Sequence, residues 1–169
     1  MSVCKSAEER WPGPLLYLSL IALTAVLDLA CKYAIVELLE HGTRAISLLP
    51  FLDLRLSYNR GISFSLFEAE HTGHVTLLIL LTGFATVAFA VAGLFAQSPT
   101  ERIALSLVSG GAAGNVLDRA ANHGVTDFIS FHIHGWRWPS FNVADTAIAL
   151  GVAMLLAAAL LPLGKAWRS

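Results

Sequence analysis

Three aspartates, Asp118, Asp127 and Asp145, have the chemistry that a catalytic carboxylate pair needs. Two carboxyl groups that face each other at close range titrate as a coupled pair, because they cannot both ionise cheaply. One then keeps its proton near neutral pH while the other acts as a base, and this arrangement suits the hydrolysis of a peptide bond by water. Spacing alone does not choose among the aspartates, so the residues predict an aspartate site with an unknown substrate.

Other catalytic schemes have less support in the sequence. No Gly-x-Ser-x-Gly motif is present, and neither Ser63 nor Ser65 has an evident base partner. His132 and His134 alternate and could ligate a metal, but no cysteine or carboxylate stands near them at a familiar ligand spacing. We therefore interpret them as a loop histidine pair and predict no metal and no cofactor.

A charged pair, Asp28 and Lys32, interrupts an apolar segment near the start of the chain. The two residues stand four apart, on one face of a helix, where opposite charges can neutralise each other. Two roles stay open for this pair, support of the structure and direct participation in catalysis. We favour the structural role.

Polar and small residues share a later segment. Asn115 and Arg119 stand one helical turn apart, and Arg119 is suited to hold a carboxylate or a substrate carbonyl. An adjoining stripe of small residues favours close packing against a neighbouring helix. The stripe consists of Ser106, Gly110 and Gly114.

The composition predicts that lipid surrounds these residues. Of the 169 residues, 56% are hydrophobic and only 14% are charged, whereas soluble domains carry about a quarter charged residues. The net charge of -1 provides no basic surface for nucleic acid, which we exclude as a partner. The two cysteines, Cys4 and Cys31, are poorly placed to bridge and show no metal-ligand spacing.

Four segments are long and apolar enough to cross a bilayer, which takes about 20 residues. They cover residues 13–36, 75–96, 103–121 and 143–163, approximately. A signal peptide is the alternative for the first segment, but charged residues interrupt it and no small-residue cleavage motif follows, so we keep it as a retained helix. Pro99 breaks the chain between the second and third segments and predicts an antiparallel hairpin. Helix parity then brings the intramembrane charges to one face of the membrane.

The two long connections, about 37–74 and 122–142, fall on that same side. Leu52, Leu54 and Leu56 alternate with polar residues, and residues 62–66 alternate again after a break, which predicts a hairpin. A weaker alternation with a break at Gly135 marks the second connection. We predict an all-α membrane protein of one domain, a four-transmembrane-helix bundle with a small extramembrane β-hairpin or sheet. Lysine and arginine are evenly divided between the two sides, so charge bias does not fix the orientation.

Five ordered motifs resemble those of the bacterial lipoprotein signal peptidases, the type II signal peptidases, over nearly the whole chain. They are DLACK at 28–32, NRGISF at 59–64, GGAAGNVLDR at 110–119, VTDF at 125–128 and WPSFNVAD at 138–145. The sequence departs from the family at Cys31, where the family usually has Ser or Thr. A thiol donates a weaker hydrogen bond than a hydroxyl group does.

The resemblance implies an aspartic endopeptidase that removes the signal peptide from a diacylglyceryl-modified prolipoprotein by cutting before the lipidated cysteine. It implies a multi-pass protein of the bacterial inner membrane, with cytoplasmic termini and with the sheet cradle and active site at the periplasmic face. Its partners would be this precursor and membrane lipid, and we expect a monomer. The implied catalytic residues are Asp127 and Asp145. The implied substrate-binding or supporting residues are Asn59, Gly61, Asn115, Arg119, Val125 and Asn142, with Asp28, Lys32 and Asp118 as structural supports.

Two other functions stay open. A small transporter or channel subunit would also place charges among helices, but the sequence has no internal repeat and its second apolar segment has no charged residue. A non-catalytic lipoprotein-binding protein would share the substrate, and only an activity assay separates it from the enzyme.

Overall fold

Four helices and a small antiparallel sheet make up the described chain. The computed structural model describes residues 13–40, 45–61 and 72–160. In chain order the elements are α1 (Pro14–Glu40), β1 (Ala45–Leu49), β2 (Leu52–Asn59), α2 (Thr72–Leu94), α3 (Pro99–Asn122), β3 (Val125–Ile133), β4 (Trp136–Arg137) and α4 (Val143–Leu160).

Three helical segments within the described residues are long and apolar enough to cross a membrane. They are Pro14–Glu40, Val75–Leu94 and Val143–Leu160, and most of their side chains face outward rather than into the protein. Outward-facing leucine, valine and phenylalanine side chains are stable where hydrocarbon is the solvent. α3 has the length of a span, at 24 residues, but a more polar composition.

α3 lies at the centre of the bundle and packs against each of the other three helices. Such a helix needs small side chains, because neighbouring backbones must approach closely. A Cβ atom on Gly110 would lie 2.7 Å from the carbonyl oxygen of Ile21, and one on Gly111 would lie 2.5 Å from that of Ala144. The packing role that the sequence predicted for Gly110 is therefore confirmed.

The start of α3 differs from the prediction. Pro99 is the first residue of the helix and not a breaker within the loop, because the first helical position needs no N–H donor and proline presets its φ angle. The side chain of Ser98 caps the helix by accepting a hydrogen bond from the Glu101 N–H at 3.2 Å. Only residues 95–98 then connect α2 to α3, which makes the two helices antiparallel neighbours as predicted.

The strands form one antiparallel sheet in the order β1-β2-β3-β4. The alternating leucines of 52–56 lie in β2, as predicted. Their hairpin partner is β1, which the sequence analysis missed, and the predicted strand at 62–66 lies outside the described residues. The predicted break at Gly135 is confirmed, since His134 and Gly135 turn the chain with φ angles of 48° and 84°.

One face of this sheet is apolar. The ring of Phe131 on β3 stacks against Phe51 and Phe141, with ring centroids 6.4 and 5.9 Å apart. Phe131 and Ile133 both stay exposed on this face. Because successive strand residues point to opposite faces, Asp127 shares the face of Phe131, whereas Ser130 and His132 lie on the other face.

The other face is polar and centres on Asp53 of β2, which joins all four strands. Its carboxylate accepts a hydrogen bond from Ser47 of β1 at 2.8 Å and pairs with His132 of β3 at 3.2 Å and Arg137 of β4 at 3.0 Å. Hydrogen bonds from Ser47 and Arg137 lower the pKa of Asp53 to about 2. The interpretation as a loop residue was therefore wrong for His132, which lies in strand β3 with its Nε2 3.2 Å from Oδ1 of Asp53.

Candidate active site

Asp145 lies in the first turn of α4, where a reciprocal cap with Asn142 fixes its position. The side-chain oxygen of Asn142 accepts a hydrogen bond from the Asp145 N–H at 2.9 Å, and Asp145 Oδ2 accepts one from the Asn142 N–H at 3.2 Å. This geometry satisfies two helix-terminal donors at once. The other oxygen, Asp145 Oδ1, accepts a hydrogen bond from Nδ2 of Asn115 on α3 at 3.0 Å. The carboxylate is thus held from both helices.

Asp127 comes from β3 and is almost fully buried, with 4% of its surface exposed. Its Oδ1 accepts a hydrogen bond from Nδ2 of Asn142 at 2.8 Å. Burial and then the nearby charge of Asp145 raise the pKa of Asp127 to about 7, although hydrogen bonds from Asn59 and Asn142 act in the opposite direction. The two carboxyl groups therefore interact, and Asp127 keeps its proton up to about pH 7.

Lys32 lies buried behind the carboxylates at a junction of α1, α3 and α4. Its ammonium group is 2.7 Å from Oδ2 of Asp28, 2.8 Å from Oδ1 of Asn115 and 3.2 Å from Oδ2 of Asp118. The other oxygen of Asp28 accepts a hydrogen bond from the Ala144 N–H at 2.8 Å, at the start of α4. Breaking a buried ion pair by removing one partner costs about 3–5 kcal/mol, so this cluster fixes how the helices meet. The pairing of Asp28 with Lys32 was predicted.

Asp118 connects the end of α3 to the start of β3. Its Oδ2 accepts a hydrogen bond from the Thr126 N–H at 2.7 Å, and its Oδ1 accepts from Nδ2 of Asn122 at 2.8 Å. Thr126 directly precedes Asp127, so this contact sets where the strand presents the carboxyl group. No role was predicted for Thr126, although it lies inside the motif at 125–128.

Arg119 and Asn59 meet at the backbone of Gly61. Nη2 of Arg119 donates to the carbonyl oxygen of Gly61 at 3.0 Å, and the Gly61 N–H donates to Oδ1 of Asn59 at 3.0 Å. Among the described residues, Nε of Arg119 is buried without a hydrogen-bond partner. The guanidinium therefore holds a backbone carbonyl and retains a donor for another group.

Both carboxyl groups line one cavity of about 330 Å³. Its polar wall consists of Asn59, Thr82, Asn115, Arg119, Asp127, Asp145 and Ser140, and an apolar wall includes Leu78, Phe141, Ile148 and Ala149. The other predicted site residues do not line it: Gly61, Val125, Asn142, Asp28, Lys32 and Asp118. Val125 is buried and pairs with Asn59 where β3 begins. Sequence reasoning missed the apolar wall, because ordinary apolar helix residues give no signal that they face a cavity.

Within residues 13–40, 45–61 and 72–160, no three histidine, cysteine, aspartate or glutamate side chains come together as metal ligands. The chemistry of the cavity is that of two interacting carboxyl groups, one buried guanidinium and the two side-chain amides that line it. Together, the fold and the site define a helical membrane protein whose sheet and fourth helix present a carboxyl pair to a half-apolar cavity.

Comparison with known proteins identifies the class more narrowly. The family model described as signal peptidase (SPase) II matches residues 20–161. The chain is 38% identical to the lipoprotein signal peptidase of Coxiella burnetii, over 91% of this chain and 93% of that protein. It is 41% identical to the lipoprotein signal peptidase of Aeromonas hydrophila, over 83% and 85% of the two chains.

Solved structures share the fold. A bacterial membrane enzyme determined by the in meso method at 2.3 Å resolution matches with a TM-score of 0.75 at 23% identity, over 91% of this chain and 93% of that one. A second, at 1.9 Å resolution, matches with a TM-score of 0.70 at 24% identity, over 86% and 93%.

The chain belongs to the signal peptidase II family and is therefore a peptidase of a bacterial membrane. Family membership confirms the resemblance that the five motifs carried, and it excludes the transporter or channel alternative.

Proposed function

We propose that this protein removes the signal peptide from diacylglyceryl-modified prolipoproteins, cutting before the lipidated cysteine, with Asp127 and Asp145 as the catalytic dyad. The observation that carries this proposal is that both carboxyl groups line one cavity, where burial and then the nearby charge of Asp145 raise the pKa of Asp127 to about 7. The relatives that bear the name lipoprotein signal peptidase support the substrate class.

The proposed mechanism gives the two aspartates different roles. Asp145 accepts hydrogen bonds from the Asn115 side chain and the Asn142 N–H. It takes a proton from a water molecule as the water oxygen attacks the scissile carbonyl carbon. Asp127, which keeps its proton near neutral pH, donates a hydrogen bond to the carbonyl oxygen and then passes its proton to the leaving nitrogen as the C–N bond breaks. Arg119 holds the substrate backbone beside them.

The surroundings of the cavity favour a substrate that enters from the lipid. α2 and α4 both pack on α3 and have little direct contact with each other. The cavity lies at this gap, lined by Leu78 of α2 and by Ile148 and Ala149 of α4. Exposing an acyl methylene to water costs about 0.8 kcal/mol, so a gap that lets the acyl chains stay in apolar surroundings suits a lipidated peptide.

The topology completes the proposal. We assign α3 as a fourth span, and its length together with its antiparallel packing on α2 supports this assignment. The termini would then be cytoplasmic, and the sheet would form a cradle over the dyad at the periplasmic face. The whole chain would be one membrane domain that works as a monomer in contact with lipid.

The test is a cleavage assay with purified protein in detergent. One precursor carries diacylglycerol on its cysteine, and the matched precursor has alanine in place of that cysteine. We expect cleavage of the first only, with a product that mass spectrometry shows to begin at the modified cysteine. Tight binding of the lipidated precursor without cleavage would instead favour the non-catalytic lipoprotein-binding alternative.

A further inference from the structure

A second cavity, of about 340 Å³, lies beside the sheet. Its lining includes two arginines, three serines and a tryptophan. They are Arg55, Arg137, Ser57, Ser130, Ser140 and Trp138. No carboxylate belongs to this lining, so the cavity combines positive charge with hydroxyl donors. Guanidinium and hydroxyl groups in one concave site are suited to an anion.

The charge in this cavity is only partly compensated. Nη1 of Arg137 donates a hydrogen bond to the buried carboxylate of Asp53 at 3.0 Å, and this contact also orients the arginine side chain. Arg55 is exposed and has no ion-pair partner within the parts of the chain that the structure describes. Two guanidinium groups against one carboxylate leave net positive charge for a bound group.

The position of the second cavity relates it to the first. Ser140 lines both cavities. A substrate peptide that extends from the carboxyl pair therefore reaches the arginines within a few residues, at about 3.3 Å per extended residue. Ser130 and Arg137 belong to the polar side of the sheet, opposite the exposed ring of Phe131. A polar peptide that leaves the membrane fits this side, whereas a lipid headgroup would be expected beside the exposed apolar face.

We propose that the second cavity binds the mature part of the substrate, just after the scissile bond, and that its arginines favour an acidic side chain there. The inference rests on the proposed function, since it takes the carboxyl pair as the point of cleavage. The apolar wall of the first cavity holds the signal segment, and the arginine-lined cavity holds the segment that follows the lipidated cysteine. The protein thereby selects among precursors by the charge of their first mature residues.

The experiment compares lipidated precursors that differ at a single early mature position, carrying Asp, Asn or Lys. It uses the wild-type protein, Arg55→Gln and the control Arg102→Gln, which changes an arginine at the far end of α3. For the wild type we expect kcat/KM for the Asp precursor to exceed that for the Asn precursor by about two- to fivefold, mainly through KM. The Lys precursor should be the poorest, and added salt should reduce the differences. Arg55→Gln should bring the Asp to Asn ratio close to one, while Arg102→Gln keeps the wild-type ratio.

The outcomes separate this inference from the proposed function. The substitution is moved in turn through the first several mature positions. Equal cleavage of the Asp, Asn and Lys precursors at every position would overturn the inference but not the proposed peptidase activity. No cleavage of any precursor would overturn both. An Arg55→Gln effect that is the same for every precursor but depends on anionic phospholipid in vesicles would assign the cavity to a lipid phosphate and overturn the peptide subsite.

Discussion

Nδ2 of Asn142 lies 2.8 Å from Oδ1 of Asp127, while the oxygen of the same amide accepts the hydrogen bond of the Asp145 N–H at 2.9 Å. One side chain therefore bonds both residues that carry the carboxyl groups, one on a strand and the other on a helix. Asn142 is itself fully buried, at 0% exposure, so it has little freedom to move. Asn142 thus contacts both carboxyl groups, that of Asp127 through its side chain and that of Asp145 through its N–H.

The first prediction concerns the pH dependence of cleavage. The pKa of Asp127 is raised to about 7, and the proposed mechanism needs this group protonated. The value of kcat/KM should therefore fall as pH rises above about 7, approaching a tenfold loss per pH unit. A pH profile with a lipidated precursor measures this. A rate that instead rises through pH 7 would exchange the acid and base roles of the two aspartates.

The second prediction concerns stability. For Asp127 the folded-state pKa of about 7 lies above the ordinary value of 3.8, so the folded protein binds this proton more tightly than the unfolded chain does. The free energy of unfolding then falls as pH rises from about 4 to about 7, by at most about 4 kcal/mol from this group. Asp127→Asn removes the charge and should raise the thermal midpoint at pH 8 more than at pH 5.

Asp53→Asn is the matched control for this stability measurement. The pKa of Asp53 is lowered to about 2, so its ionised form stabilises the fold at neutral pH, and that contribution is lost only as pH falls below about 4 toward 2. Asp53→Asn should therefore lower the thermal midpoint at pH 8, opposite in sign to Asp127→Asn. The same direction of change for both variants would contradict the electrostatic account.

The third prediction concerns Gly114, which supports the buried cluster behind the site. A Cβ atom there would lie 2.6 Å from Oδ2 of Asp28, the carboxylate that holds Lys32 and the start of α4. Gly114→Ala should cost about 1–3 kcal/mol of stability and displace the site enough to lower kcat/KM at least tenfold. Thermal unfolding in detergent and the cleavage assay measure both effects.

Gly83→Ala is the control for this substitution, because a Cβ atom on that α2 glycine meets nothing within 4 Å. Alanine is the better helix former, so this variant should keep its stability or gain up to about 1 kcal/mol. Equal losses for Gly83→Ala and Gly114→Ala would show that close approach to Asp28 is not the cause.

The sequence predicted the parts of this fold that depend on local patterns. Apolar runs of sufficient length marked the helices, and the four-residue spacing of Asp28 and Lys32 correctly indicated an ion pair. β1 was missed because Ala45–Leu49 shows no clear alternation of polar and apolar residues. Pro99 was misplaced because proline both ends and begins helices, and the cap by Ser98 decides between these roles.

The site depends on tertiary contacts that spacing does not encode. The three-residue spacing of Asn142 and Asp145 is compatible with a helix cap, but the contact of Asn142 with Asp127 joins residues 15 apart through the sheet. Lys32 meets Asn115 across 83 residues. Periodicity alone left three aspartates as equal candidates, and the family motifs were needed to select two of them.

The central claim is that Asp127 and Asp145 are both catalytic, and single substitutions to Asn test it most directly. Each variant keeps the shape of the side chain, so both should fold while the cleavage rate of a lipidated precursor falls by about 10² to 10⁴. Glu37→Gln, which changes an exposed carboxylate on α1, is the control and should keep the wild-type rate. The account predicts that the double variant is no slower than the worse single variant, because the two groups act as a unit. Full activity in either Asp127→Asn or Asp145→Asn would contradict it.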